Sequence, residues 1–224
     1  MIATLLAMQQ ADAAFPSGSF AFSNGIEGVA ALPYPFDRDA LRRQAEIALR
    51  HRWAGLDRIA LVRAWRTGDD LGGLAGIDED VEAANVVASF REGSRRAGRA
   101  LLTSHARLGT SGADALKAAI ARGNLLGHLP TMQGALFRAL GMPEREAIAV
   151  SGYQAIASLT SAAVRLGRVG ALEAQTVIRD LLPEIAALTA PEAIDPGAPL
   201  ESFTPFLDIA AMRSADAAVR LFSS

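Results

Sequence analysis

The stretch Tyr153-Gln154-Ala155-Ile156-Ala157-Ser158-Leu159-Thr160-Ser161-Ala162-Ala163-Val164 is apolar or small on every side of a 3.6-residue helical turn. A helix of that kind is either surrounded by other helices or lies at a subunit contact. Its reading decides the fold, because a helix with no polar face needs a bundle around it. The helix extends over residues 145–166, and its polar members Ser151, Gln154, Ser158 and Ser161 each need a hydrogen-bonding partner inside. Upstream, Gly141 ends the preceding helix and Pro143 takes the first-turn position of this one, where a missing N–H does no harm. Downstream, Arg165 beside Leu166 and Gly167 suits a helix C-terminus, where a guanidinium meets the last carbonyls. Tyr153 is the candidate aromatic anchor of a dimer contact, with burial in the monomer core as the rival.

The same periodicity runs outward in both directions. Over residues 39–67, Leu41, Ala45, Leu49, Trp53, Leu56 and Ala60 recur at intervals of three or four, while Arg42, Arg43, Glu46 and Arg50 fill other faces. A second helix is expected over residues 81–108, closed by Gly109 and followed by a turn at residues 109–112. Helix resumes at Asp114, and Gly123 and Gly127, one turn apart, read as a place of tight helix packing. After Gly170 another helix reaches Thr189, with a kink or interruption expected at Pro183. Pro191, Pro196, Gly197 and Pro199 then form a linker. Beyond it Phe203, Phe206, Leu207, Ile209, Met212, Leu221 and Phe222 are too apolar for an idle tail and are expected to be buried by docking. Asp208 is expected to cap a short helix running through Met212. The chain is half hydrophobic but only 6% aromatic, rich in Ala and Leu; 224 residues bury roughly 70% or more of their unfolded surface. These features predict an all-α, single-domain helical bundle over residues 1–190, with a proline-rich linker and C-terminal partner-binding segment over residues 191–224.

Several function classes are excluded on chemical grounds. With 22 basic against 24 acidic residues and a net charge of −2, the chain offers no general attraction to a phosphate backbone, so no nucleic-acid partner is expected. The apolar first fifteen residues lack a basic n-region and are broken by Gln9, Gln10 and Asp12. No run approaches the ~20 apolar residues that span a bilayer; the expectation is a cytoplasmic chain with no membrane partner. There is no cysteine, hence no thiolate ligand or nucleophile. His51, His105 and His128 are not spaced for a local metal motif and read as surface or half-buried residues; no metal site and no cofactor are expected. The glycines near Phe15 suggest a phosphate cradle, but Lys117 is the only lysine in the chain, so a P-loop is ruled out. No G-x-S-x-G elbow occurs, and no catalytic residue is assigned. The turn-rich, aromatic segment at residues 15–25 then has two readings: its phenylalanines plug the protein's own core, or they meet a partner.

The order Phe15-Pro16-Ser17-Gly18-Ser19-Phe20-Ala21-Phe22-Ser23-Asn24-Gly25-Ile26-Glu27 resembles the N-terminal signature of the UreF-type urease accessory proteins, usually Leu-Pro-(Ile/Val)-Gly-(Gly/Ala)-(Phe/Tyr)-(Ser/Ala)-(Tyr/Phe)-Ser-(His/Gln)-Gly-Leu-Glu. Pro16, Gly18, Phe20, Phe22, Ser23, Gly25 and Glu27 match. A second block, Ser161-Ala162-Ala163-Val164-Arg165-Leu166-Gly167, is similar to the family's Ser-Ala-x-x-Arg-Leu-Gly, and His128 with Gly134 echoes the block upstream of it. The third comprises Pro205-Phe206-Leu207-Asp208-Ile209-Ala210-Ala211-Met212 and Arg220-Leu221-Phe222-Ser223-Ser224. The chain departs from the pattern at Arg168-Val169-Gly170-Ala171, where Pro-Leu-Gly-Gln is usual, and at Asn24 and Ser214, where histidine is usual. The resemblance implies an all-helical homodimer that bridges a UreD/UreH-type accessory protein and a nickel-carrying UreG-type GTPase on apo-urease. Its non-enzymatic work would be to couple nucleotide state to nickel release. The partner-binding residues it implies are Phe15, Pro16, Ser17, Gly18, Phe20, Phe22, Ser23, Gly25, Glu27, Tyr153, Arg165, Leu166, Gly167, Phe206, Asp208, Met212, Arg220, Leu221 and Phe222. Two alternatives stand beside the scaffold: a GTPase-activating partner that supplies an arginine, for example Arg95, Arg96, Arg99 or Arg165, and an unrelated helical interaction module.

Overall fold

The computed structural model describes residues 1–18 and 25–215. Phe20, Phe22, Ser23, Arg220, Leu221 and Phe222 lie outside the described residues, as do Ser19, Ala21 and Asn24. All regular structure among the described residues is helical. In chain order the helices are α1 (Ile2–Ala11), α2 (Ile26–Ala30), α3 (Arg38–Ala48), a π segment (Leu49–Asp57), α4 (Arg58–Thr67), α5 (Leu71–Ala84), α6 (Ala88–Arg107) and α7 (Ala113–Ala121). They continue with α8 (Leu129–Ala139), α9 (Glu144–Arg165), α10 (Ala171–Leu188), a short 3-10 turn (Pro191–Ala193) and α11 (Pro205–Ala215).

The helix with no polar face is the hub: α9 packs on α1, α2, α3, the π segment, α4, α8 and α10. Among the described residues it is the one helix long and apolar enough to cross a membrane, and its place in the middle of the bundle explains that composition. Two of its polar residues, Ser151 and Gln154, are satisfied in one chain of hydrogen bonds. The Trp53 indole N–H donates to Ser151 Oγ (3.1 Å), Ser151 Oγ donates to Gln133 Oε1 (3.0 Å), and Gln133 donates to Gln154 Oε1 (2.7 Å). Gln154 then donates to the Gln10 carbonyl (2.6 Å), which ties α1 to the bundle.

Two hydrophobic clusters share a wall made by α4 and α8. Leu61, Val62 and Phe137 point into the larger cluster with α3, α9 and α10; Ala60, Ala64, Met132 and Leu136 point into a second one with α5, α6 and α7. At this wall Gly134 lets the backbones touch, since a methyl group there would overlap the Leu61 carbonyl oxygen. The six periodic residues Leu41, Ala45, Leu49, Trp53, Leu56 and Ala60 are all buried, as their spacing predicts.

Several local expectations are corrected. The helix expected over residues 81–108 is two helices, because Asn85 turns extended after α5, with its side chain donating to Val81 O (2.9 Å) and accepting from Arg52 (2.7 Å). The chain over residues 39–67 is helical throughout but widens to π geometry in its middle. Gly123 does not sit in a packed helix: it follows α7 at φ 78, with open space around it. Pro143 is the N-cap of α9, one residue before the expected position. Pro183 lies inside α10 without interrupting it. Asp208 lies within the first turn of α11, where Thr204 Oγ1 donates to it (2.9 Å); it does not cap the helix.

Candidate partner-docking surface

The first and third sequence blocks meet in space. Helix α2, which follows the signature loop, packs on α11. Gly25, at φ 87, leaves room for the Leu207 carbonyl oxygen, which would stand 3.2 Å from a Cβ there. Gly28 allows a still closer approach, because a methyl would overlap the Ala210 carbonyl. These two glycines set which face of α11 turns inward. Leu207, Ala210 and Ala211 are 2%, 3% and 4% exposed. Phe203, Phe206, Ile209 and Met212, for which burial by docking is expected, are 75%, 47%, 58% and 58% exposed in the single chain. Their spacing of three keeps Phe206, Ile209 and Met212 in one outward stripe of α11, with Phe203 just before the helix, and exposed apolar patches of this kind mark interaction sites.

The described part of the signature loop is anchored to its own protein. Phe15 is half-buried, packed on the second cluster and tilted over the His105 ring at 5.6 Å. Ser104 Oγ donates to the Pro16 carbonyl (2.7 Å), while Pro16 itself is exposed and Ser17 half-buried. Gly18, at φ 75, runs against α6, where a Cβ would be 2.5 Å from Ala100 Cβ. Ile26 is fully buried and Glu27 half-buried. The second block closes α9. Gly167, at φ 66, donates to Val164 O (2.9 Å), and Arg168 N donates to Ala163 O (3.1 Å), the pairing of a Schellman stop. Leu166 is half-buried against the main cluster, whereas Arg165 and Gly167 are exposed. Tyr153 is half-buried, packed on the main cluster.

Two histidines read from sequence as surface or half-buried residues are fully buried. His105 Nε2 lies 3.2 Å from Gln10 Oε1 and its Nδ1 2.9 Å from Thr110 Oγ1, a hydroxyl that can donate to the neutral ring. Burial lowers its pKa to about 4. Because the folded value lies below the unfolded one, this contribution to stability is complete above about pH 6.5 and is lost as pH falls toward 4. Acidifying from pH 7.5 to 5 is expected to remove about 2 kcal/mol through this residue. Urea unfolding as a function of pH checks it, with His105→Asn expected to flatten that part of the profile.

His128 belongs to a polar cluster the sequence did not reveal. The buried Asp78 carboxylate accepts the backbone N–H groups of Leu126 (2.7 Å), Gly127 (2.6 Å) and His128 (2.9 Å) just before α8. His128 Nε2 donates to Glu82 Oε2 (2.8 Å), and Ser94 Oγ lies 3.1 Å from Nδ1. Arg91 and Arg95 pair with the same Glu82. Burial holds the His128 pKa below its ordinary range, against the pull of Asp78 and Glu82 toward the charged form. Burial likewise raises the Asp57 pKa, opposed by Arg52 and His128. Gly98 admits this segment against α6, where a methyl would overlap the Gly127 carbonyl. The cluster splices α5, α6 and α8 together. No sequence motif marks Asp78; its partners are main-chain groups.

Comparison with known proteins agrees with the architecture. The UreF family model matches residues 36–182. The urease accessory protein UreF of Trichodesmium erythraeum is 30% identical over 98% of this chain and 96% of its own length. Urease accessory protein UreF 1 of Brucella melitensis is 31% identical over 96% of this chain and 90% of its own. UreF of Kocuria rhizophila is 31% identical over 97% and 95%. With the α2–α11 contact joining the first and third blocks, and with matches of this reach, the chain belongs to the UreF family of urease accessory proteins.

Proposed function

We propose that this chain is a non-enzymatic adaptor in maturation of the urease nickel centre, bridging a UreD/UreH-type accessory protein and a UreG-type GTPase on apo-urease. It works as a homodimer in the cytoplasm, with Tyr153 on α9 at the dimer contact and Arg165, Leu166 and Gly167 at the helix end available to a partner. Residues 191–224 serve as linker and partner-binding segment. The observation that carries the reading is the outward stripe of Phe203, Phe206, Ile209 and Met212, on the side opposite Leu207 and Ala210, which meet Gly25 and Gly28. Phe206, Ile209 and Met212 stand on one side of α11, with Phe203 just before it, so a partner that covers them meets an already ordered backbone and orders only side chains. Energy for nickel delivery then comes from differential binding, so no bond is made or broken on this chain.

Co-purification of the full chain with its cognate accessory proteins tests the reading. A stable complex with the UreD/UreH-type protein that then recruits the GTPase is expected; recruitment of neither contradicts it. The lack of cysteine and the separation of the three histidines in sequence lead to a second expectation. Titration calorimetry of the isolated protein with nickel should show no submicromolar site of one ion per chain, and finding one would place nickel transfer on this chain.

A further inference from the structure

The end of α10 and the linker after it are held on the bundle by the π segment and by α4, which continues it. Arg58 donates to the Leu188 carbonyl (2.7 Å), and Arg63 donates through Nε to Pro196 O (2.8 Å) and through a terminal nitrogen to Ala198 O (2.6 Å). Farther along, Glu201 N–H donates to Gly55 O (3.2 Å) and Phe203 N–H to His51 O (2.7 Å). As the linker advances from 196 to 203, its partners step back from 63 to 55 to 51, so an extended strap runs antiparallel to the helix. Every strap atom in these bonds belongs to the main chain.

The helix is shaped for this. A π turn is wider than an α turn and occurs mostly at functional positions; each carbonyl in it has a second lone pair for an outside donor. Gly55 removes the one side chain that would block the approach, since a Cβ there would lie 2.7 Å from the Glu201 carbonyl oxygen. Arg63 is steered by Asp80 of α5 at 3.4 Å. Side-chain packing adds to the hold: no residue from 191 to 203 is fully buried, but Leu200 is half-buried against the second cluster and Ile194 against the larger one, and full burial resumes at Thr204 and Leu207, where α11 begins.

We propose that the π segment, with Arg63 of α4, is a docking site for extended main chain, filled by residues 196–203, and that this strap is a releasable latch fixing how α11 presents its apolar stripe. The role given to α11 rests on the function proposed above. Opening the latch frees no fully buried side chain of the strap, only half-buried ones such as Leu200, so it belongs to the low-stability end of local unfolding. The seat's hydrogen bonds read backbone, so strap side chains matter only through Leu200, which packs on the second cluster, and through the prolines that keep the strap out of helix.

Native-state hydrogen exchange on the full chain, with Gly55→Ala and Arg63→Ala, tests the latch. Alanine is a better helix former than glycine, so Gly55→Ala weakens the seat without weakening the helix. The Glu201 and Phe203 amides should exchange at least tenfold faster in either variant, while those of Leu61, Leu136 and Ile156 keep their protection. Unchanged exchange at Glu201 and Phe203 overturns the latch, as does a rise shared by the three core amides. Should Gly55→Ala fail to fold, Arg63→Ala alone gives the same reading. Association with the UreD/UreH-type protein supplies the second arm: at least tenfold weaker binding by the open-latch variants supports the positioning of α11, and undiminished binding overturns it. If the wild-type chain itself binds no such partner, the proposed function fails while the exchange result still decides the latch.

Discussion

Asp78→Ala should lower the unfolding free energy by about 4 kcal/mol, the largest loss of any single polar truncation in the protein. The carboxylate is fully buried and accepts three consecutive backbone N–H groups at the entrance of α8. Alanine leaves these donors facing a space with no acceptor, and a buried donor without a partner costs about 1–3 kcal/mol. Partial relaxation and water entry keep the total below the simple sum. For a chain of this size the melting temperature should fall by roughly 10 °C. Asp78→Asn should lose about half as much, because one amide oxygen can still accept while the amide nitrogen meets a backbone donor head-on. Urea denaturation of both variants checks the order. An Asp78→Ala protein within 1 kcal/mol of wild type would show that the segment at residues 126–128 finds other acceptors.

This carboxylate also shows where sequence reading stops. The bundle was legible because its signal is periodic apolar spacing: Leu41, Ala45, Leu49, Trp53, Leu56 and Ala60 repeat within one stretch of chain, and all six are buried. Asp78 gives no such signal, since its partners lie 48 to 50 positions away and are main-chain N–H groups. The break at Asn85 was hidden for a similar reason. It has neither glycine nor proline, and depends on Arg52, with Arg91 donating to the Asn85 carbonyl (2.7 Å). The π segment differs from an α-helix by a slight widening that local propensity does not encode, and the strap that lies across it comes from residues 201–203. Sequence showed that α11 is apolar but not which side faces water, because both sides are apolar. Gly25 and Gly28 decide that by admitting Leu207 and Ala210. The family blocks were visible as blocks, whereas the contact between the first and the third is a product of folding.

The second large effect concerns the outward stripe. Phe206 and Ile209 are exposed in the free chain, so replacing both with alanine should change unfolding free energy by no more than about 0.5 kcal/mol. If a partner covers them, each contributes about 2 kcal/mol to association, with incomplete additivity, so the pair should weaken binding roughly 100-fold or more. Leu172 on α10, 84% exposed and outside the stripe, is the control; Leu172→Ala should alter neither quantity. The decisive measurement is the affinity of full-length wild type, Leu172→Ala and Phe206→Ala/Ile209→Ala for the cognate UreD/UreH-type protein, with each variant's melting temperature recorded alongside. The account predicts unchanged melting for all three and a loss of about two orders of magnitude in affinity for the double variant alone; wild-type affinity in a folded double variant would contradict it.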